Sequence, residues 1–167
     1  MLIFGIDPGS RATGYGLIEA EGNRYRCITH GAIRPAGHGK MEFARRLYTI
    51  YRELDHLIET HRPDVVVVEE VFHAVNAQTA LKLGQVRGIA LLAAAQYDIP
   101  IYEYSPLRVK QAIVGFGRAE KQQIQLMVKT LLNLKEVPQP HDAADALAVA
   151  LCHAFNRSQD RRSPQHS

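Results

Sequence analysis

The chain reads as an α/β domain built on a mixed five-stranded sheet with helices on both faces. Three observations predict this. Up to residue 34, three short apolar or alternating runs are joined by turn residues, the pattern of an antiparallel meander. Four consecutive valines in "DVVVVEE", 64–70, read as a strand covered on both sides, as in a central parallel position. Long helical periodicities lie before and after that strand, which gives the order βββαβαβα followed by further helices.

Residues 2–7 (LIFGID) form the first strand, closed by the turn residues Pro8 and Gly9. Residues 13–20 (TGYGLIEA) and 24–34 (RYRCITHGAIR) alternate, and "EGN" between them is a hairpin turn. "PAGHGK", 35–40, is a loop. From Met41 to His61, apolar residues at 44, 47, 48, 51, 54 and 58 keep helical spacing, and Pro63 lies just beyond. After the valine strand come a helix rich in small residues at 77–97 and a short strand, "IYEYS", at 101–105. Helices at 106–113 and 120–132 flank the glycine loop "GFGR", and a last helix spans 141–156. The folded domain is therefore residues 1–156, and 157–167 reads as a polar, basic, disordered tail.

Composition narrows the class. At 167 residues, 46% apolar and 22% charged, the chain suits one soluble domain with a real core. The start "MLIFGIDPGS" has no basic segment and meets a charge at Asp7, unlike a secretory signal. The longest smooth apolar run, "IALLAAA" at 89–95, falls far short of the roughly 18 residues of a membrane span. Cys27 and Cys152 lack metal-ligand spacing and read as small core hydrophobes in a reducing compartment, the cytoplasm. The net charge is +3, but the cations are unevenly spread. Lys82, Arg87, Arg108, Lys110, Arg118, Lys121 and Lys129 face only Asp98, Glu103 and Glu120 in the same stretch, a surface suited to a polyanion.

Acidic residues stand where elements end. Asp7 closes the first strand, Glu69 and Glu70 close the valine strand, and Asp142 and Asp145 open the last helix in "HDAADALAVALCHAF". Each has an ordinary explanation: turn capping for Asp7, a solvated strand end for the glutamates, and the helix dipole for Asp142. Strand alternation lets only one of Glu69 and Glu70 share the side of Asp7, and parity alone leaves that choice open. Spacing of three puts Asp142 and Asp145 on one helix edge. Neighbouring parallel strands would bring these ends together, and clustered carboxylates persist in a poorly solvated cleft only with a compensating cation. Oxygen ligands without cysteine or paired histidine suit Mg²⁺ or Mn²⁺, and a pair of such ions suits phosphodiester hydrolysis.

"GIDPGSRATGYG", "VVVEEVF", "NAQTALKLGQVRG", "VKQAIVGFGRAEK" and "DAADALAVA", in this order and spacing over residues 2–155, closely resemble the RuvC Holliday-junction resolvases. The resemblance implies a ribonuclease-H-like fold, a homodimer, and Mg²⁺-dependent cleavage of two opposed strands of a four-way DNA junction, leaving 5′-phosphate and 3′-hydroxyl ends. Mn²⁺ is expected to substitute, with two ions per site. The family's catalytic, metal-binding acids fall on Asp7, Glu69, Asp142 and Asp145, so the resemblance selects Glu69 over Glu70. Positions similar to Lys110 and Lys121 face the scissile phosphate, where an ammonium offsets transition-state charge. Phe72 is expected to stack on unpaired bases. Lys82, Arg87 and Arg118 complete the expected DNA-binding set, and RuvA and RuvB are the expected protein partners.

Other features are weighed on their own chemistry. His141 reads as a polar helix-start residue. Gly115 and Gly117 are expected to let the backbone approach DNA or flex. Ala77, Ala80, Gly84 and Gly88 lie at helical spacing, and such small residues admit a close helix, either from this chain or from a second subunit. Two rivals stand beside the nuclease reading. One is a non-catalytic junction-binding module of the same fold. The other is an actin- or sugar-kinase-like ATP-binding protein, which would need a second such domain.

Overall fold

Alternation along β1 (Leu2–Asp7), β2 (Thr13–Glu21), β3 (Arg24–Ile33), β4 (Val65–Glu69) and β5 (Ile101–Tyr104) builds one sheet in the order β3-β2-β1-β4-β5. The first three strands pair antiparallel, and β1–β4 and β4–β5 pair parallel, as expected from the valine run. The computed structural model describes residues 1–36, 40–70 and 75–160, with only the backbone given for 40, 41 and 158–160. Helices α1 (Lys40–His61), α2 (Ala77–Ala95), α3 (Pro106–Val114), α4 (Lys121–Leu131) and α5 (His141–Asp160) complete it.

The valine run divides between two cores, which is why it carries no polar face. Val66 and Val68 join Phe4, Ile6 and Leu17 under Ile50, Leu54 and Ile58 of α1 and Val86, Ala90, Ala93 and Ala94 of α2. Val65 and Val67 join Ile3 and Ile18 on the opposite side, with Val109 and Ile113 of α3, Ile124 and Val128 of α4, and Leu147 to Cys152 of α5. Helices thus cover both faces. Cys152 is buried, Cys27 is half-buried, and both are free thiols. Among the described residues, no helix is long and apolar enough to cross a membrane.

α5 is the central helix. Ala143, Ala144 and the run Ala146 to Cys152 are all buried, because the sheet covers one side and α3 and α4 cover the other. Its alanines keep the helix thin, and three strand glycines let it come close. A Cβ on Gly5 would meet the Ala146 carbonyl oxygen at 2.1 Å, and one on Gly14 would meet the Asp142 carbonyl oxygen at 2.0 Å. One on Gly16 would run into the Leu147 side chain at 2.6 Å. Gly5 pairs with Gly16 across β1 and β2, and Asp7 pairs with Gly14. The result is a track without side chains on which the backbone of α5 rests.

Helix ends carry local chemistry. The Asn76 side chain accepts from the Thr79 N–H at 2.9 Å to start α2, and Pro106 opens α3 after Ser105. Gly115 closes α3 in the left-handed region at φ 84°, its N–H bonding the Gln111 carbonyl at 2.9 Å. Gly115 therefore serves as a helix stop, whereas Gly117 leaves room for Leu107, whose Cδ1 would lie 2.2 Å from an added Cβ. α5 also runs past the expected end at 156. It continues to Asp160, since no glycine or proline interrupts it, and Arg157 complements the dipole of the last turn. Residues 161–167 of the expected tail lie outside the described residues.

Placing a methyl group against the α5 backbone is expected to be costly. Gly5→Ala should lower stability by about 1–3 kcal/mol, as overpacking typically does. Urea unfolding followed by circular dichroism measures it; an unchanged midpoint would contradict the close approach.

Candidate functional site

Register settles which acids meet. Ile3, Val65 and Val67 point to the α5 side, so the same alternation carries Asp7 and Glu69 there too. Glu69 is the last residue of β4 and lies opposite Tyr104 of β5. Asp7 and Glu69 share a hydrogen bond between their carboxyl groups. Gly14, opposite Asp7, brings the first turn of α5 onto the same edge, and with it Asp142 and Asp145. Their charges act on Asp7 directly.

The two strand carboxyls are pushed above their ordinary range. For Glu69 the cause is burial, then the charge of Asp7, their shared hydrogen bond, and Asp145. For Asp7 it is burial, then the charge of Asp145, with the hydrogen bond to Glu69 acting in the opposite direction. The pair therefore favours holding a proton between its two groups. The helix acids have cationic partners instead. Lys121 Nζ lies 2.7 Å from Asp145 Oδ2, and Arg34 approaches Asp142 Oδ2 at 3.8 Å. Desolvation works to lower the Lys121 ammonium, but its bond to Asp145 and the other acids outweigh it and hold it above its usual range. Among the described residues, no three acidic, imidazole or thiol side chains stand as a ready-made metal-ligand cluster.

Clefts open around these acids. One of about 580 Å³ is bordered by Asp7, Glu69 and Glu70, by Leu83 of α2, and by Leu107 and Lys110 of α3. A second, of about 230 Å³, joins Glu69, Lys110, Lys121 and Asp145. Lys110 and Lys121 thus converge on Glu69 from α3 and α4. The other expected DNA-contacting residues are not drawn to the acids in this way. Arg87 is paired with Glu103 of β5, Lys82 lies over the Phe43 ring at 5.8 Å, and Arg118 is exposed on the loop before α4. Phe72 lies outside the described residues.

Further residues contribute around the acids. His141 accepts a 2.8 Å hydrogen bond at Nδ1 from the buried amide of Gln125 Nε2, tying the start of α5 to α4. That agrees with a helix-start role. Arg34 directly follows the third strand, and nothing in its neighbours announces Asp142. Gly14 and Gly16 repeat at period two on one strand face, a pattern that does signal close approach. Phe116, half-exposed between Gly115 and Gly117, adds an aromatic ring to the loop after α3.

Comparison with known proteins identifies what the chain resembles as a whole. The family model described as crossover junction endodeoxyribonuclease RuvC matches residues 3–153. A relative of that name from Alkaliphilus oremlandii is 55% identical over 154 residues, covering 92% of this chain and 93% of its own. Another, from Geobacter sulfurreducens, is 56% identical over 154 residues and covers 92% of each chain. The structure of Thermus thermophilus RuvC in complex with a Holliday junction substrate matches with a TM-score of 0.89 and 35% identity, over 96% of both chains.

Crowding of the acids generates a prediction. Because Asp7 and Glu69 titrate higher when folded than when unfolded, the folded state binds the extra proton, and stability falls as pH rises through their deprotonation. Asp7→Asn should remove this loss and stabilise the metal-free protein at neutral pH by about 0.5–2 kcal/mol. Denaturant midpoints from pH 5 to 8 measure it; parallel curves for the two proteins would contradict it.

Proposed function

The chain belongs to the RuvC family of crossover junction endodeoxyribonucleases, and we propose that it resolves four-way DNA junctions by hydrolysing phosphodiester bonds in two opposed strands. The observation that carries this reading is the meeting of Asp7 and Glu69 with Asp142 and Asp145 at one sheet edge, beside Lys110 and Lys121. The products carry 5′-phosphate and 3′-hydroxyl ends, and the reaction serves recombination and repair.

The donor set fits a hard divalent cation. All four groups are carboxylates, and two of them are held above their ordinary protonation range by burial and by neighbouring negative charge, a strain that added positive charge relieves. Asp7, Glu69, Asp142 and Asp145 would hold Mg²⁺, or Mn²⁺ in its place, as two ions. When bound, such ions activate the attacking water and stabilise the leaving oxygen.

The residues of the chain do the rest. The proton retained by Asp7 and Glu69 leaves before the pair can act as anionic ligands. Lys110 and Lys121 face the scissile phosphate and offset charge that grows in the transition state. Pairing with Asp145 holds Lys121 in place until substrate arrives. Leu107 and Leu83 give the cleft an apolar wall that limits its hydration. Phe72 stacks on unpaired bases near the branch, and Lys82, Arg87 and Arg118 contact backbone phosphates further out.

Two symmetric cuts call for two active sites, and the surface of α2 supports a homodimer. Among the described residues, a Cβ on Gly84 or Gly88 would meet nothing within 4 Å, so packing against them does not explain these glycines. On the same helix Leu81 is 70% and Leu92 is 55% exposed. A second copy laid against this face would use both features. RuvA and RuvB are the protein partners that family membership supports.

A synthetic four-way junction tests the whole reading. The protein should cut it in Mg²⁺ at symmetric positions in opposed strands and sediment as a dimer. Asp7→Asn should bind the junction yet cut at least ~10²-fold more slowly, while Lys110→Ala should lose more in cutting rate than in affinity. Intact junctions, a monomer under all conditions, or wild-type cutting by Asp7→Asn would each count against it.

A further inference from the structure

Beyond the acids, on the side away from Lys110 and Lys121, lies a third cleft of about 500 Å³ that the proposed chemistry leaves unused. It is lined by Gly9, Ser10, Arg11 and Ala12 of the β1–β2 turn, by Arg34 after β3, and by Asp142. Asp142 lines this cleft and also acts on Asp7, so the cleft adjoins the carboxylate group. We propose that Arg11 and Arg34 form a second phosphate site, which takes a backbone phosphate of the cut strand on the opposite side of the scissile bond from the two lysines. The inference rests on the junction-cleaving reading and adds a binding register to it.

The construction of the cleft supports an anion. Two guanidinium groups face a single carboxylate, leaving a net positive wall. Arg34 and Asp142 meet at 3.8 Å, an ion pair too long for a hydrogen bond, and the Arg34 side chain is 63% exposed. A guanidinium carries five N–H donors, so this contact leaves capacity for bidentate binding of phosphate. The turn itself is braced from behind. The buried Thr13 hydroxyl donates to the Gly9 carbonyl at 3.0 Å, and Arg46 of α1 donates to the Ser10 carbonyl. Both carbonyl oxygens, which would otherwise repel a phosphate, are thereby occupied by donors. Gly9 fits only because it lacks a Cβ, which would sit 2.1 Å from the Ala12 carbonyl oxygen.

With cations at both ends, a strand crossing the acids is gripped on either side of the bond to be cut. That grip holds the scissile phosphate against the carboxylates, whose own charge repels it. Arg34 has two anionic partners available, Asp142 in the unbound protein and phosphate in the complex.

The test uses Asp7→Asn as a cutting-deficient parent and compares it with Asp7→Asn/Arg11→Gln/Arg34→Gln. Binding to a fluorescent four-way junction is measured over a range of salt in Mg²⁺ buffer. The arginine variant should bind about tenfold more weakly, and its salt slope should be shallower by about one to two units. Junctions with a neutral methylphosphonate at each phosphate flanking the cut, one at a time, locate the contact. One such position should weaken the parent and leave the arginine variant unaffected, and Arg34→Lys should keep most of the affinity. Equal affinity and slope in parent and variant, or methylphosphonate losses that simply add, would overturn the subsite while junction binding stands. A parent with no preference for a four-way junction over linear duplex would overturn the junction reading, and the subsite with it.

Discussion

Everything at the site depends on how closely the backbone of α5 approaches the sheet. Gly5, Gly14 and Gly16 remove the side chains that would hold it away, and the alanines of "DAADALAVA" thin the helix from the other side. Tight seating of this kind is rigid, because close-packed interiors resist small displacements. Its functional product lies at one end: Gly14 touches the Asp142 carbonyl and pairs with Asp7, so the same contact that packs the helix also sets the separation between strand and helix acids. Sheet and site are therefore one construction, and the placement of the acids is inherited from backbone contact rather than from loops.

That construction works against its own electrostatics. Two carboxyls at the ends of β1 and β4 are buried beside two more on α5, and burial together with like charge pushes the strand pair toward protonation. Lys121 and Arg34 offset the helix acids from opposite flanks. The apolar cores on both faces, with Val65 to Val68 split evenly between them, supply the stability that lets the edge remain strained. A site under charge stress is poised for cations and for a polyanion that cations can bridge.

Most of the architecture was legible because each element had its own local signal. The four valines marked a doubly covered strand, "EGN" marked the hairpin, and helical spacing marked α1 and α5 to within a few residues. The acids were legible as residues placed at element ends; strand parity left Glu69 and Glu70 open, the resemblance selects Glu69, and the register of Ile3 with Val65, a tertiary fact, gives the physical reason. Arg34 escaped notice for the same reason: its proximity to Asp142 exists only once β3 folds back beside β2 and α5 crosses both. The end of α5 was read short because apolar periodicity stops at Phe155, although the helix has no breaker until after Asp160. Gly115 is expected to let the backbone approach DNA or flex, and its positive φ has a local use that the sequence did not announce, the stop of α3.

The central claim is that the edge built by Gly14 and α5 gathers carboxylates into a divalent-cation site. Crystals soaked in Mn²⁺ and measured at the manganese absorption edge address it without reference to activity. The account predicts anomalous density in direct coordination with Asp7 and with at least one of Glu69, Asp142 and Asp145, and its disappearance in Asp7→Asn. Density confined to other surfaces, or none at saturating Mn²⁺, would contradict it.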